Sequence, residues 1–154
     1  MESVVQRLHR YWLEHRVRML PGASQEELDA FERANGVRLP PDIREFLQTM
    51  NGFEQYEWDP ECVEWYPISR WERLSEYGHY PFEDADQYFV CADWMLHAFI
   101  YAVRLDASGK CENTFLLLGP PGPPEVLARS FSELFEAYLK EGPVMLGGSP
   151  RGAT

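Results

Sequence analysis

The sequence lacks the features on which several classes of protein depend. It has only three cysteines, Cys62, Cys91 and Cys111, which are widely separated and odd in number, so they indicate buried reduced thiols rather than a disulfide framework. No apolar run approaches the ~18 residues of a membrane-spanning helix, and the N-terminus has no apolar signal-peptide stretch. We therefore expect a cytoplasmic protein that does not associate with a membrane.

Signatures of catalysis and metal binding are also missing. None of the four histidines has His-x-x-x-His spacing, and the sequence contains no Gly-x-Ser-x-Gly, Gly-x-x-x-x-Gly-Lys or Gly-x-Gly-x-x-Gly pattern. Two weak candidates remain: a nucleophile with a base among Cys91, Asp93 and His97, and a cation site or acid-base group among the carboxylates of residues 83–86. We expect no enzyme activity, no cofactor and no bound metal.

Positive charge is scarce. Lys and Arg number 14 against 25 Asp and Glu, so the net charge is −11, which argues against binding nucleic acid through its phosphates. Residues 53–93 hold 11 of the acidic side chains, 2 of the basic ones and 11 of the 22 aromatic ones. This acidic aromatic segment is either a binding face whose carboxylates attract a basic partner, or a set of core aromatic residues with solubilising charges.

The chain contains enough apolar sequence for one self-sufficient domain, since 45% of its 154 residues are hydrophobic. Hydrophobic periodicity, turn residues and Ser-x-x-Glu capping patterns predict the elements. These are helices over residues 3–17, 24–34 and 42–50, a short helix near 70–77 opened by Ser69 and Glu72, strands over 88–92, 99–105, 114–118 and 126–128, and a last helix opened by Ser130 and Glu133. The second helix is expected to open at Ser24 and to stop at Asn35-Gly36. The strands over 99–105 and 114–118 are expected to form a hairpin, and the proline-rich residues 119–124 a loop.

This order predicts a single-domain α+β fold, with an antiparallel or mixed central sheet, helices packed on one face and a C-terminal helix. The domain is expected to span residues 1–141, and the Gly/Pro-rich residues 142–154 to form a flexible tail. Seven side chains on the apolar faces of the predicted helices are expected to be buried. They are Leu28, Phe31, Phe46, Leu47, Phe131, Leu134 and Phe135.

Several segments have a recognisable order and spacing. They are Leu20-Pro-Gly-Ala-Ser-Gln-Glu-Glu-Leu-Asp-Ala-Phe-Glu32, Gly36-Val-Arg-Leu-Pro-Pro-Asp-Ile-Arg-Glu-Phe-Leu47 with Asn51-Gly52, Phe89-Val-Cys-Ala-Asp93 with Ile100-Tyr-Ala-Val-Arg-Leu105, and Val126-Leu-Ala-Arg-Ser-Phe-Ser-Glu-Leu-Phe135. Together they resemble the SUKH superfamily, in the branch that contains the yeast cell-wall assembly regulator domain. The resemblance covers about residues 20–140, although residues 53–88 match the pattern poorly.

The resemblance implies a non-catalytic α+β domain. Bacterial members are regarded as immunity proteins that bind and neutralise a cognate toxin, often a nuclease, and other members are regulatory scaffolds. We therefore expect an immunity-type protein that binds a basic toxin domain. The alternative is a non-catalytic regulatory or scaffold domain that binds an endogenous protein. The matched residues build helix faces and caps, so no partner contact can be transferred from the family.

The expected partner-binding face follows from charge and aromatic content instead. It comprises Glu54, Tyr56, Glu57, Trp58, Asp59, Glu61, Glu64, Trp65, Glu83, Asp84 and Asp86. The carboxylates are expected to repel one another until a cationic partner binds, and Tyr56 and Trp58 to act as anchors. We expect the chain to be a monomer or a weak dimer.

Overall fold

The computed structural model describes residues 2–78, 82–96, 98–110, 112–119 and 124–141. The expectations for His79, His97 and Cys111, for most of the proline-rich loop (120–123) and for the tail (142–154) lie outside the described residues.

The described residues contain five α-helices and eight strands, which confirms the α+β fold class. In order, these are α1 (Val4–Glu14), β1 (Met19–Pro21), α2 (Gln25–Asn35), α3 (Pro41–Thr49), β2 (Met50–Phe53), β3 (Val63–Trp65), β4 (Glu72–Arg73), α4 (Leu74–Tyr77), β5 (Tyr88–Trp94), β6 (Phe99–Arg104), β7 (Glu112–Leu118), β8 (Glu125–Ser130) and α5 (Phe131–Glu141). None of these helices has the length and apolar composition needed to cross a bilayer.

The capping box predicted for α2 is confirmed. The backbone N–H of Glu27 donates to the Ser24 hydroxyl at 3.1 Å, and the N–H of Ser24 donates to the Glu27 carboxylate at 3.0 Å, so two otherwise unpaired amides are satisfied. Gly36 ends the helix in the left-handed conformation, with a φ of 65°. At α5, Glu133 N–H donates to Ser130 as expected, but the carboxylate of Glu133 accepts from the N–H of residue 129.

The capping box predicted at Ser69 and Glu72 is wrong. Residues 68–70 form a single 3-10 turn, and α4 begins only at Leu74, with no side-chain cap. Glu72 instead belongs to β4, where it lies opposite Val90 of β5. Pairing with the sheet therefore overrides the local capping signal here.

The strands form two antiparallel sheets. The larger has the order β3-β5-β6-β7-β8, with β4 also paired to β5, and β1 pairs with β2 in a separate two-stranded sheet. The predicted hairpin between β6 and β7 is confirmed. A bulge interrupts β5 between Val90 and Ala92, and it leaves Cys91 as the extra residue of that strand.

Aromatic side chains join α3 and α5 to one face of the larger sheet. The ring of Phe46 lies 5.4 Å from that of Phe131 and 5.7 Å from that of Phe135, which in turn lies 5.0 Å from Trp65 of β3. Six of the seven predicted core residues are buried. The seventh, Phe31, is partly exposed and packs against the core.

Candidate functional site

Two loops meet beside one end of the larger sheet. Residues 54–62 connect β2 to β3, and residues 94–96 lead from the end of β5 into the turn before β6. The backbone N–H of Met95 donates to the carbonyl oxygen of Cys62 at 3.0 Å, so the two loops are held side by side. We call residues 54–62 and 94–96 the paired-loop surface.

Large hydrophobic side chains are unusually exposed on this surface. Tyr56 is 71% exposed, Trp58 41%, Met95 52% and Leu96 70%. They are four of the seven large hydrophobic side chains that are exposed among the described residues. Single exposed hydrophobic residues are ordinary, but a group of them marks an interaction site.

Met95 and Leu96 are not among the residues predicted from the sequence to contact a partner. A signal was present, because Trp94, Met95 and Leu96 form an apolar triplet between two strands, where a turn would ordinarily carry Gly, Asn, Asp or Ser. Met95 and Leu96 also lie outside the acidic aromatic segment (residues 53–93), from which the partner-binding face was predicted.

Backbone strain is concentrated in the same two loops. Tyr56, Cys62, Met95 and Leu96 have positive φ angles of 67°, 68°, 58° and 55°. Among the described non-glycine residues, Arg16 is the other one in this region of φ. A non-glycine residue in this conformation costs of order 1 kcal/mol, and such residues cluster at functional sites.

Arginine side chains compensate several of the acids that were expected to repel one another. The guanidinium group of Arg18 lies 3.4 Å from the carboxylate of Glu54 and 3.6 Å from that of Glu57. Its backbone N–H also donates to Glu57 at 2.8 Å. Glu64 is buried and pairs with Arg70 at 3.0 Å. The expected repulsion among uncompensated acids is therefore wrong for these three glutamates.

Asp59 is the buried acid of the first loop, with only 2% of the residue exposed. One carboxylate oxygen, Oδ1, accepts from the N–H groups of Glu61 and Val63 at 2.9 and 3.0 Å. The other, Oδ2, accepts from the indole N–H of Trp12 at 3.2 Å. Burial raises the pKa of Asp59 to about 6, because the desolvation of its charge outweighs these hydrogen bonds.

Trp65 is a core residue, buried against Phe135 and stacked on Tyr101 at a centroid distance of 5.8 Å. Like Asp59 and Glu64, it supports the surface from below and offers no accessible area to a partner. Of the first-loop residues expected to contact the partner, those that reach solvent, at least in part, are Glu54, Tyr56, Glu57, Trp58 and Glu61.

The second acidic segment lies at the other end of β5. Glu83, Asp84 and Asp86 are exposed and lie two to five residues before Tyr88, the first residue of that strand. The length of β5 separates them from the paired-loop surface by about 20 Å, at roughly 3.3 Å per residue. The fold therefore does not bring the two acidic segments together into one cluster.

The two described residues considered as a nucleophile and its partner, Cys91 and Asp93, both lie in buried positions on β5. Cys91 lies among core aromatic residues, in a small cavity that Phe46 also lines. Asp93 pairs with β3 and accepts from the Tyr66 hydroxyl at 2.7 Å. Burial raises the pKa of the Cys91 thiol well above its usual range, which keeps it protonated and a poor nucleophile. Within the part of the chain that the structure describes, no three His, Cys, Asp or Glu residues are grouped to hold a metal ion.

Comparison of the sequence with models of known protein families identifies a match. The family model described as the SMI1 / KNR4 family (SUKH-1) matches residues 22–137, which is more than half of the chain and includes both loops of the paired-loop surface. No curated protein matches the chain.

Proposed function

Because the chain belongs to the SMI1 / KNR4 family (SUKH-1), we propose that it is an immunity-type protein that binds a bacterial protein toxin through the paired-loop surface and so neutralises it. The observation that carries this proposal is the exposure of Tyr56, Trp58, Met95 and Leu96 on two loops joined by a hydrogen bond. The proposed complex forms in the cytoplasm, and the chain acts as a monomer or a weak dimer.

The composition of the surface suits a tight protein interface. Tyr, Trp and Met are enriched at the centres of interfaces, and Trp and Tyr dominate the binding energy there because they bury a large area with few rotatable bonds. The hydrogen bond between the loops and the ion pairs of Arg18 fix the loop backbone before a partner arrives. A fixed backbone lowers the entropy cost of association.

The charge of the whole chain favours a basic partner. A toxin that cleaves nucleic acid needs a cationic surface to hold phosphates, and a chain with a net charge of −11 attracts such a surface over a distance. Since Arg18 and Arg70 compensate the nearby glutamates, the attraction comes from the overall field and from exposed acids such as Glu83, Asp84 and Asp86. The apolar side chains then supply the contact itself.

A growth assay tests the proposal. The products of the genes that flank this chain's gene are expressed one at a time in bacteria, with and without the chain. We expect one basic product to stop growth and the chain to restore it. The double variant Trp58→Ala/Leu96→Ala is expected to lose this protection, because it removes one exposed apolar side chain from each loop.

The double variant Tyr77→Ala/Val126→Ala is the matched control, because it also truncates one exposed aromatic and one exposed aliphatic side chain, which belong to α4 and β8 and not to the paired-loop surface. It should protect as well as the wild type does. If no flanking product is toxic, or if both double variants protect equally, the proposal is wrong. An endogenous protein bound through the same surface would then favour the regulatory or scaffold function.

A further inference from the structure

We propose that the ion pair between Glu64 and Arg70 positions Tyr56, so that this aromatic side chain is presented on the paired-loop surface before a partner binds. The importance of this inference for binding rests on the proposed function. The positioning itself is a property of the free chain.

Tyr56 occupies a turn position that is unfavourable for a large side chain. The backbone N–H of Glu57 donates to the carbonyl oxygen of Glu54 at 2.9 Å, which closes a four-residue turn with Tyr56 in its third place. The φ of Tyr56 is 67°, a value that turns ordinarily assign to glycine or asparagine. The side chain is 71% exposed, so burial in the core does not offset this strain. A strained and exposed aromatic residue is better explained by contact with a partner than by stability.

Glu64 holds the backbone of Tyr56 in this conformation. The N–H of Tyr56 donates to Oε2 of Glu64 at 3.3 Å. Glu64 is only 5% exposed and lies on β3, which is paired along its length with β5. Its backbone is therefore fixed by the sheet, while its carboxylate reaches the loop. Because a charged acceptor strengthens a hydrogen bond, the turn is anchored at the strained residue itself.

Arg70 fixes this carboxylate in turn. Its Nη1 donates to the same Oε2 of Glu64 at 3.0 Å. The guanidinium group also lies over the ring of Tyr66, 3.9 Å from the centroid, and the Tyr66 hydroxyl donates to Asp93 at 2.7 Å. A continuous series of contacts therefore runs from Asp93 on β5 through Tyr66, Arg70 and Glu64 to the backbone of Tyr56.

Stability alone does not account for this ion pair. Removing a carboxylate from water is costly, and replacing a buried ion pair with apolar side chains of similar size is often neutral or stabilising. What the pair adds is an acceptor at a defined place beneath the loop. A partner then meets Tyr56 in one backbone conformation, which lowers the entropy cost of binding.

Hydrogen exchange at the Tyr56 amide, followed by nuclear magnetic resonance on the free, full-length chain, tests the positioning. Glu64→Met keeps the size of the side chain but removes the acceptor. Relative to the amides of β6, it should raise the opening equilibrium constant at Tyr56 about ten-fold or more. Arg70→Met removes the group that fixes the carboxylate and should act in the same direction.

Two conservative variants separate positioning from a general loss of packing. Glu64→Gln keeps an acceptor oxygen and should retain most of the protection of the Tyr56 amide. Glu61→Gln changes an acid of the same loop that does not contact this amide, and it should leave the exchange unchanged. Unchanged exchange at Tyr56 in Glu64→Met or in Arg70→Met would overturn the proposal.

Substitutions of Tyr56 decide the matter if the variants at Glu64 do not fold. Because glycine adopts a positive φ without strain, the unfolding equilibrium constant of Tyr56→Gly should be about five-fold or more below that of Tyr56→Ala. Arg16, with a φ of 59° outside the paired-loop surface, is the matched control, and its glycine and alanine variants should differ in the same direction. If Tyr56→Gly is less stable than Tyr56→Ala, the proposal is wrong.

The growth assay connects this positioning to binding. Tyr56→Gly should protect less well than the wild type does, although it relieves strain, whereas Arg16→Gly should protect fully. Full protection by Tyr56→Gly would overturn the presentation of Tyr56 to a partner. Because the exchange and unfolding measurements need no toxin, their failure is distinguishable from a failure of the proposed function.

Discussion

Asp59 makes the stability of the fold depend on pH. Burial raises its pKa to about 6, whereas aspartate in an unfolded chain has a pKa of about 3.9. The folded state therefore binds more protons between these values. The contribution of Asp59 to the free energy of unfolding is fully present below about pH 4 and declines as the pH rises through about 6, by about 3 kcal/mol in total.

The variant Asp59→Asn isolates this contribution, because asparagine does not ionise. The free energy of unfolding of the variant minus that of the wild type should rise by about 2 kcal/mol between pH 4 and pH 7.5. Urea unfolding at a series of pH values measures the difference, whatever the substitution costs at any single pH. The same difference for Glu61→Gln should stay nearly flat. If this difference for Asp59→Asn does not change with pH, the raised pKa of Asp59 is contradicted.

The two described cysteines should differ in reactivity. Cys62 is exposed and Cys91 is buried with a raised pKa. A thiol reagent at pH 8 should therefore label Cys62 in the native protein and label Cys91 only when the chain unfolds. Peptide mass spectrometry after timed labelling separates the two sites. Equal labelling rates would show that the bulge region of β5 opens to solvent.

The sequence could not assign neighbouring residues of the acidic aromatic segment to surface or core. Trp58 is exposed and the next residue, Asp59, is buried, yet both contribute equally to a count of charge and aromatic content. Asp59 is buried partly by Trp12, 47 residues away, and no local pattern encodes a contact at that separation. The expectation that all three cysteines are buried also failed at Cys62, which lies in a loop with a positive φ.

At the scale of the elements, α3 is held by aromatic packing. The ring of Phe46 contacts those of Phe131 and Phe135 from α5, and lies 6.2 Å from Trp12 of α1 and 6.3 Å from Trp65 of β3. This one side chain therefore joins three helices and the sheet.

Phe46→Ala should lower the free energy of unfolding by about 3–5 kcal/mol, because it leaves a cavity that these rings cannot fill. Leu13→Ala is the control, since Leu13 is 56% exposed and its truncation should cost within about 0.5 kcal/mol. Chemical denaturation with tryptophan fluorescence measures both. Similar losses for the two variants would mean that α3 does not pack as described.

Helices were more predictable than strand pairing. The Ser24 cap, the Gly36 stop and the apolar faces of α2, α3 and α5 depend on residues within one or two helical turns, so a local pattern suffices. The strand order and the bulge at Cys91 depend on residues far apart in the chain, and a bulge reverses the alternation on which a sequence reading relies. The capping pattern at Ser69 failed for the same reason.

At the scale of the whole molecule, the exposed acids before β5 lie apart from the exposed hydrophobic side chains of the paired-loop surface. Glu83 and Asp84 lie at the opposite end of β5 from Tyr56 and Trp58. The exposed acids are therefore expected to act on the rate of association, which falls as salt screens them, and the exposed hydrophobic residues on the rate of dissociation. The total charge could be predicted from the sequence, but only the fold shows that the exposed acids and the exposed hydrophobic residues lie at opposite ends of β5.

The most direct test of the central claim is the dissociation rate constant of the complex between this chain and the toxin identified by the growth assay. Trp58→Ala and Leu96→Ala should each leave the melting temperature nearly unchanged. Each should raise the dissociation rate by about 30-fold, which corresponds to about 2 kcal/mol for an interface hot spot. Tyr77→Ala and Val126→Ala should leave it unchanged. Dissociation rates that respond to the control variants and not to Trp58 or Leu96 would contradict the account.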